Sequence, residues 1–158
     1  MTALTIRKQD GAFVLDSGAG PRASLRTTGW TWRCGEIRTD AGLWTVEPTD
    51  HRRIGATAQA EHGAAVRLDP RRSHVPGPGG VARWAPGRRG GELVRDGHRL
   101  AVHLPGRPGG PIRVDVTGEW VEVELVALTA CFALLSRRRQ RTLIMMAVVS
   151  TASRGPMG

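Results

Sequence analysis

Residues 119–136 read EWVEVELVALTACFALLS, and four arginines, Arg137, Arg138, Arg139 and Arg141, follow at once. Past Glu124 the segment is apolar on every side of a helical wheel, a pattern that a globular chain places only where protein surrounds the helix. Thr117 and Gly118 can start it, Glu119, Glu122 and Glu124 put negative charge in its first turns, and the arginine run puts positive charge at its end. Those charges match the helix macrodipole. The expectation is a helix over residues 119–136, roughly 27 Å long at about 1.5 Å per residue, with Val121, Val123, Leu125, Val126, Leu128, Phe132, Leu134 and Leu135 buried. A membrane span is the rival. The apolar stretch 125–135 reaches only about 16 Å, against about 30 Å of hydrocarbon. Extending it through 143–149 would set four arginines in mid-bilayer, at roughly 10 to 14 kcal/mol in all. The buried helix is the favoured reading, and shallow insertion of the tail 142–152 behind its basic cluster stays open.

Upstream the chain alternates in the manner of β-hairpins. From Glu92 to Leu104 the pair Asp96-Gly97 suits a two-residue type I′ turn and sets Leu93 opposite Leu100. Leu93, Leu100, Val102 and Leu104 then share one face, while Glu92, Val94, Arg99, Ala101 and His103 point the other way. A second hairpin, 54–68, turns at Glu61-His62-Gly63 and would pair Ala60 with Ala64, Ala58 with Val66 and Ala56 with Leu68, all on one face. Its small side chains suit a wall that a helix approaches closely. A third, 32–46, turns at Asp40-Ala41-Gly42 and would pair Arg38 with Trp44 and Ile37 with Thr45. Further strands are expected at 4–7, 12–16, 23–27, 80–85 and 112–117, ten to twelve in all. Residues 70–81, 86–91 and 105–111 are too rich in proline and glycine to hold strands.

The chain has 158 residues, 21 of them glycine and 10 proline, enough for one loop-rich domain and too few for two of ordinary size. Residues 1–141 are expected to form that domain, and 142–158 a disordered or peripheral tail. Residues 1–10 lack the apolar core of a signal peptide, and the cysteines are two, Cys34 and Cys131. The expectation is a cytoplasmic protein with reduced thiols, able to sit at the periphery of a membrane. Net charge is +9, and of 23 basic residues only Lys8 is lysine. A GC-rich genome is the favoured explanation of the arginine bias over selection for phosphate binding, while the sign of the charge favours acidic partners over cationic ones.

Strands in series followed by one all-round apolar helix form an uncommon order. A sheet closed on itself loses its edges, and a buried helix can fill a lumen too wide for strand side chains alone. The sequence PIRVDVT from Pro111, followed by EWVEVELVALTACFALL from Glu119, resembles the last strand and central helix of tubby-like barrels. That superfamily includes phospholipid scramblases and LURP-one-related proteins. The resemblance implies a twelve-stranded closed antiparallel β-barrel around a hydrophobic C-terminal helix. It covers the last third of the chain by residue pattern and the remainder by strand spacing, and it carries fold further than activity.

No chemistry-bearing constellation emerges. His51, His62, His74, His98 and His103 are scattered; His98 and His103 lie five apart on one strand and so face opposite ways. His62 and His98 fall at turns, where solvated side chains are expected. The two cysteines lack zinc-site spacing, no serine carries a nucleophile motif, and Asp16, Asp69 and Asp115 stand without an evident partner. Neither 77–80 nor 87–91, though glycine-rich, carries a phosphate-loop lysine. The expectation is no enzyme, no metal and no cofactor. Arginine pairs remain: Arg52-Arg53, Arg71-Arg72, Arg88-Arg89 and the cluster Arg137, Arg138, Arg139 and Arg141, able to converge on one barrel end as an anion-binding rim. Trp44 and Trp32 are expected in strands as core rather than as base-stacking surfaces, while Trp84, between loops, is left open to exposure. The favoured function is a non-enzymatic module docking on an anionic phospholipid surface or a protein partner through these loops. A nucleic-acid binder using the same arginines, and a small enzyme or ligand-binding barrel with a pocket at its mouth, are the alternatives.

Overall fold

The structure, a computed structural model, describes residues 2–61, 63–107 and 109–153. Among them twelve strands run β1 (Thr2–Gln9), β2 (Ala12–Asp16), β3 (Pro21–Thr28), β4 (Cys34–Thr39), β5 (Gly42–Pro48), β6 (Ala56–Ala60), β7 (Gly63–Leu68), β8 (Ser73–His74), β9 (Val81–Pro86), β10 (Gly90–Arg95), β11 (His98–His103) and β12 (Ile112–Thr117). Each pairs antiparallel with its neighbours in sequence, and β12 pairs with β1, so the sheet closes into a barrel. The wall is thinnest at β8, which pairs with β7 only through Arg67 and His74 and with β9 through Ser73–Ala82 and His74–Val81.

Alternation along the strands builds the core. Phe13, Leu25, Ile37 and Trp44 stand opposite one another on β2 to β5, and all four are buried. Trp84, Leu93, Leu100 and Val116 make the corresponding row on β9 to β12. The Asp96-Gly97 turn has φ of 45° and 81°, the signs a type I′ turn needs, and Leu93 faces Leu100 as its spacing predicts.

Several expectations need correction. On β4 and β5 the register is one residue off the expected one: Ile37 faces Trp44 and Arg38 faces Leu43. Pairing Arg38 with Trp44 would have put a charge beside a buried ring, and a one-residue slip exchanges the faces of a strand. On β6 and β7, Ala56 faces Leu68 and Ala58 faces Val66, but a bulge after Ala58 sets Ala60 against Gly63, so Ala60 and Ala64 leave the buried face. Residues 70–81 do hold a strand, the two-residue β8, which bridges β7 and β9. Pro86, Gly90 and Gly91 likewise belong to strands, joined by a tight turn in which the Gly87 N–H donates to the Gly90 carbonyl at 2.7 Å. Gly91 has to be glycine: a Cβ there would come within 2.5 Å of the Trp84 ring. Trp32 lies in a loop rather than a strand. Trp84 is core, 1% exposed, its indole N–H donating to the Ile54 carbonyl at 2.9 Å.

The helix is displaced and longer than expected. It is α1 (Val123–Ser153), not residues 119–136. Gly118 and Glu122 have φ of 81° and 51°, which breaks helical geometry, so only Glu124 of the three acids lies in the first turn and Val121 is left exposed. The arginines do not end it, because arginine, glutamine, leucine and methionine are good helix formers and no glycine or proline intervenes before Gly155. They fall mid-helix, and the last turn carries no base, so the expected match of charge to dipole is lost at this end. Residues 142–153 are therefore helical rather than disordered, while 154–158 lie outside the described residues.

Burial divides α1 in two. Residues 125–136 are buried without exception, and from Arg137 onward the helix is half-buried or exposed, so it is not wholly swallowed by the barrel. The buried half shares one apolar cluster with the inward strand residues and packs on β3 to β7, β10 and β11.

Candidate functional site

Since all neighbours are antiparallel, successive connections alternate between the two ends of the barrel. The loops β1–β2, β3–β4, β5–β6, β7–β8, β9–β10 and β11–β12 therefore share an end. Helix residues Ser136, Arg139 and Gln140 bond to the β3–β4 and β5–β6 loops, which identifies it as the end where α1 emerges. Every arginine in the expected rim falls here: Arg52 and Arg53 on β5–β6, Arg71 and Arg72 on β7–β8, Arg88 and Arg89 on β9–β10, and Arg137, Arg138, Arg139 and Arg141 on α1. Arg33 and Arg107 join them from β3–β4 and β11–β12, as does Lys8 at the close of β1. Local acids are Asp10, Asp50 and Asp69. Among the described residues none of these cations makes an ion pair; the bridges present involve Arg22, Arg38, Arg99, His103 and Arg113. The opposite end carries Asp16, Asp40, Glu61, Asp96, Glu119, Glu122 and Glu124 against Arg22 and Arg95. The +9 of the chain is thus distributed as a basic end and an acidic end.

Two of the ten arginines are committed to structure. Arg53 is only 5% exposed; its Nη1 donates to the Thr31 carbonyl at 2.7 Å and to the Ser136 carbonyl and Oγ at 3.2 and 3.4 Å. Burial, then the nearby Arg33 charge, lowers its pKa. Arg139 Nε donates to the Trp30 carbonyl at 2.8 Å, and its guanidinium lies 5.3 Å from the Trp32 ring centroid. Ser136 Oγ donates to the Trp32 carbonyl at 3.1 Å. Arg53 and Trp32 both have φ of 54°, left-handed conformations that surrounding contacts must hold in place. Together they form a collar around α1 where it leaves the barrel. Arg137, half-buried, has its pKa lowered by burial and then by Arg141. Arg52, Arg71, Arg72, Arg88, Arg89, Arg138 and Arg141 are exposed.

Inside the collar, between α1 and the β12, β1, β2 sector, lies a cavity of about 410 Å³. Its lining is Ile6, Phe13, Ile112 and Leu135 below, Pro105, Gly109 and Gly110 at the side, and Lys8, Trp32, Arg138, Arg139 and Thr142 above. Lys8 Nζ lies 5.9 Å from both the Phe13 and Trp32 ring centroids, and those rings meet edge to face at 5.9 Å.

Beyond the collar, Ile144, Met145, Met146, Val148 and Val149 are 56 to 68% exposed. Residues 143–149 are seven apolar residues in succession, so no helical face is polar. Trp30, on the β3–β4 loop at the same end, is 68% exposed. Among the described residues, no helix is long and apolar enough to cross a membrane.

The remaining candidates do not converge. Among the described residues no group of histidine, cysteine or acid side chains could hold a metal ion. His98 is not a free turn residue, since its Nδ1 accepts from the Glu119 N–H at 3.0 Å; His62 lies outside the described residues. Asp115, expected to stand alone, has its Oδ2 3.0 Å from His103 Nε2 and 3.5 Å from Arg113 Nε. Burial pushes the Cys131 thiol up to about 12, which leaves it protonated and inert. Lys8, Trp30 and Trp32 escape sequence reasoning as site residues, because a single lysine and two loop tryptophans have no spacing to connect them. Comparison of the chain with family models, curated proteins and solved structures finds no match in any of the three.

Proposed function

We propose that the chain is a non-enzymatic docking module whose basic end settles on an anionic phospholipid surface, with the emergent half of α1 entering the lipid. One observation carries this: the apolar run 143–149 leaves the barrel through arginines that, among the described residues, make no ion pair, so that a greasy helix and a ring of cations face the same way. A bilayer with acidic headgroups offers both complements at once. Each exposed Lys or Arg near such a surface contributes about 1 kcal/mol, attenuated by salt. Trp30 stands where interfacial tryptophans sit, at headgroup depth.

The run spans about 10 Å at about 1.5 Å per residue, less than one leaflet of a core about 30 Å thick. A run that short suits a slanted, shallow entry. In this reading the buried half of α1 fills the barrel lumen, a tubby-like arrangement that the all-buried stretch 125–136 supports, and the target is the acidic cytoplasmic leaflet.

Co-sedimentation with vesicles of phosphatidylcholine alone and of phosphatidylcholine with phosphatidylserine tests the proposal. Binding should rise steeply with the phosphatidylserine fraction and fall between 50 and about 500 mM salt. Equal binding to both vesicles, or none to either, would overturn it.

A further inference from the structure

The cavity inside the collar opens at the basic end, and its lining has a chemistry of its own. Its floor, Ile6, Phe13, Ile112 and Leu135, is buried hydrocarbon and ring. Its rim holds Lys8, Arg138 and Arg139, and among the described residues no aspartate or glutamate lines it. Such a space binds neither a small inorganic anion, which would leave the floor wet, nor a neutral hydrocarbon, which would leave three cations facing an apolar body. The occupant that satisfies both halves carries one anionic head on one apolar chain. At about 410 Å³ the space falls within the range of small-molecule sites, about 300 to 1000 Å³.

Its origin lies in the packing of α1. The helix leans on β3 to β7, β10 and β11, and the gap opens on the opposite sector, where β1, β2 and β12 contribute Ile6, Phe13 and Ile112. Gly109 and Gly110 bring no side chain to close its edge. The rim is held in place: Arg139 is pinned to the Trp30 carbonyl and stacked on Trp32, and Lys8 is set over Phe13 and Trp32. Pre-positioned cations lose little freedom when an anion arrives.

We infer that this cavity is a binding site for a single-chain anionic amphiphile, a long-chain carboxylate or alkyl phosphate, with the head against Lys8, Arg138 and Arg139 and the chain on Ile6, Phe13, Ile112 and Leu135. The inference does not depend on membrane docking.

The test is calorimetric titration of the whole chain, without bilayer and below micelle-forming concentrations, with dodecanoate, dodecyl phosphate, dodecanol and inorganic phosphate. Dodecanoate or dodecyl phosphate should bind, and whichever binds more tightly identifies the head. Each methylene removed from its chain should weaken binding about fourfold, the equivalent of about 0.8 kcal/mol per CH₂. Dodecanol and inorganic phosphate should each bind at least tenfold more weakly. Lys8 and Arg138 are exposed, so the variant carrying Lys8→Gln and Arg138→Gln should fold normally and lose at least tenfold. A bromine-bearing dodecanoate should also quench fluorescence that a Trp32→Phe variant lacks. Ile144→Ser with Val148→Ser, which lie outside the cavity, should bind dodecanoate as the parent does, so failure here and failure of docking are read apart. Equal affinity for dodecanol, inorganic phosphate as tight as dodecyl phosphate, or an unmoved Lys8→Gln, Arg138→Gln variant would each overturn the inference.

Discussion

Replacing Ile144 and Val148 together by serine probes whether the emergent helix enters lipid. The two lie one turn apart on α1 and are 56% and 61% exposed. Full burial of such a side chain contributes about 1.5 to 3 kcal/mol. With roughly three-fifths of each surface still in water, transfer into acyl chains is worth about 1 to 2 kcal/mol per residue. The pair should therefore cost about 2 to 4 kcal/mol of membrane affinity, or about 30-fold to several hundredfold at about 1.4 kcal/mol per decade. Partition into phosphatidylserine-containing vesicles is the assay, read across a lipid titration at fixed salt. Because neither side chain supports the folded barrel, the thermal midpoint should stay within about 2 °C of the parent, a shift corresponding to about 0.5 kcal/mol or less. A variant that keeps its fold and partitions as the parent does would refute insertion, leaving at most an electrostatic contact through the rim.

Arg53→Ala should lower stability by about 2 to 4 kcal/mol in urea unfolding, since it strips bonds from the Thr31 carbonyl and Ser136 that a charged donor makes strong, whereas Arg52→Ala, exposed, should change it by less than about 0.5 kcal/mol. Gly91→Ala should cost about 1 to 3 kcal/mol in the same assay, because the buried Trp84 ring has no room to give way. The Cys131 pKa is raised in the fold, from 9.0 to about 12; its contribution is complete below pH 9 and is lost as pH climbs from 9 toward 12, where the unfolded thiol ionises first. Stability should fall there by about 1.4 kcal/mol per pH unit from this group, and Cys131→Ala should remove that slope. Arg71→Gln with Arg72→Gln should weaken vesicle binding by about 2 kcal/mol, at about 1 per residue. Glu119→Gln with Glu122→Gln, which raises net charge by as much, should leave binding within about twofold; equal and opposite effects in sedimentation would contradict the orientation proposed.

What was legible in the sequence had local causes. Asp96-Gly97 fixes a turn type, and the turn fixes the register, so Leu93 against Leu100 followed from four adjacent residues. The all-round apolar character of 125–135 likewise decided burial without knowledge of its surroundings. The β4 and β5 register failed because Asp40-Ala41-Gly42 supports a turn of two residues as readily as three, and only the barrel wall chooses the one that buries Trp44 beside Ile37. The helix end is not legible in the sequence because a basic run matches the charge of a helix C-terminus, yet arginine also propagates a helix well. Convergence of the arginine pairs on one end followed from their place in alternate loops. Arg53 could not be separated from its neighbour Arg52, since the atoms that hold it belong to Thr31 and Ser136, and the latter is 83 residues away. The cavity was invisible for the same reason, its floor being drawn from three strands and a helix distant in sequence.

The net charge of the chain is a poor guide to how its basic end would meet the proposed anionic surface. β1 has eight residues, about 26 Å at about 3.3 Å each, and even with the tilt of barrel strands the two ends stand roughly 20 Å apart. The Debye length at physiological salt is about 8 Å. An acidic end held that far from an anionic bilayer would be screened from it, so on the proposed reading its carboxylates would subtract almost nothing from the attraction of the loop arginines. The same distance makes orientation selective: turned over, the barrel would present Glu119, Glu122 and Asp96 to the phosphates and have no apolar helix to insert. On the proposed reading, charge and hydrophobicity would choose the same face by independent physics. Because α1 is a single helix clasped by Arg53 and Arg139 as it leaves the barrel, whatever the exposed half enters is held in fixed relation to the basic ring around it.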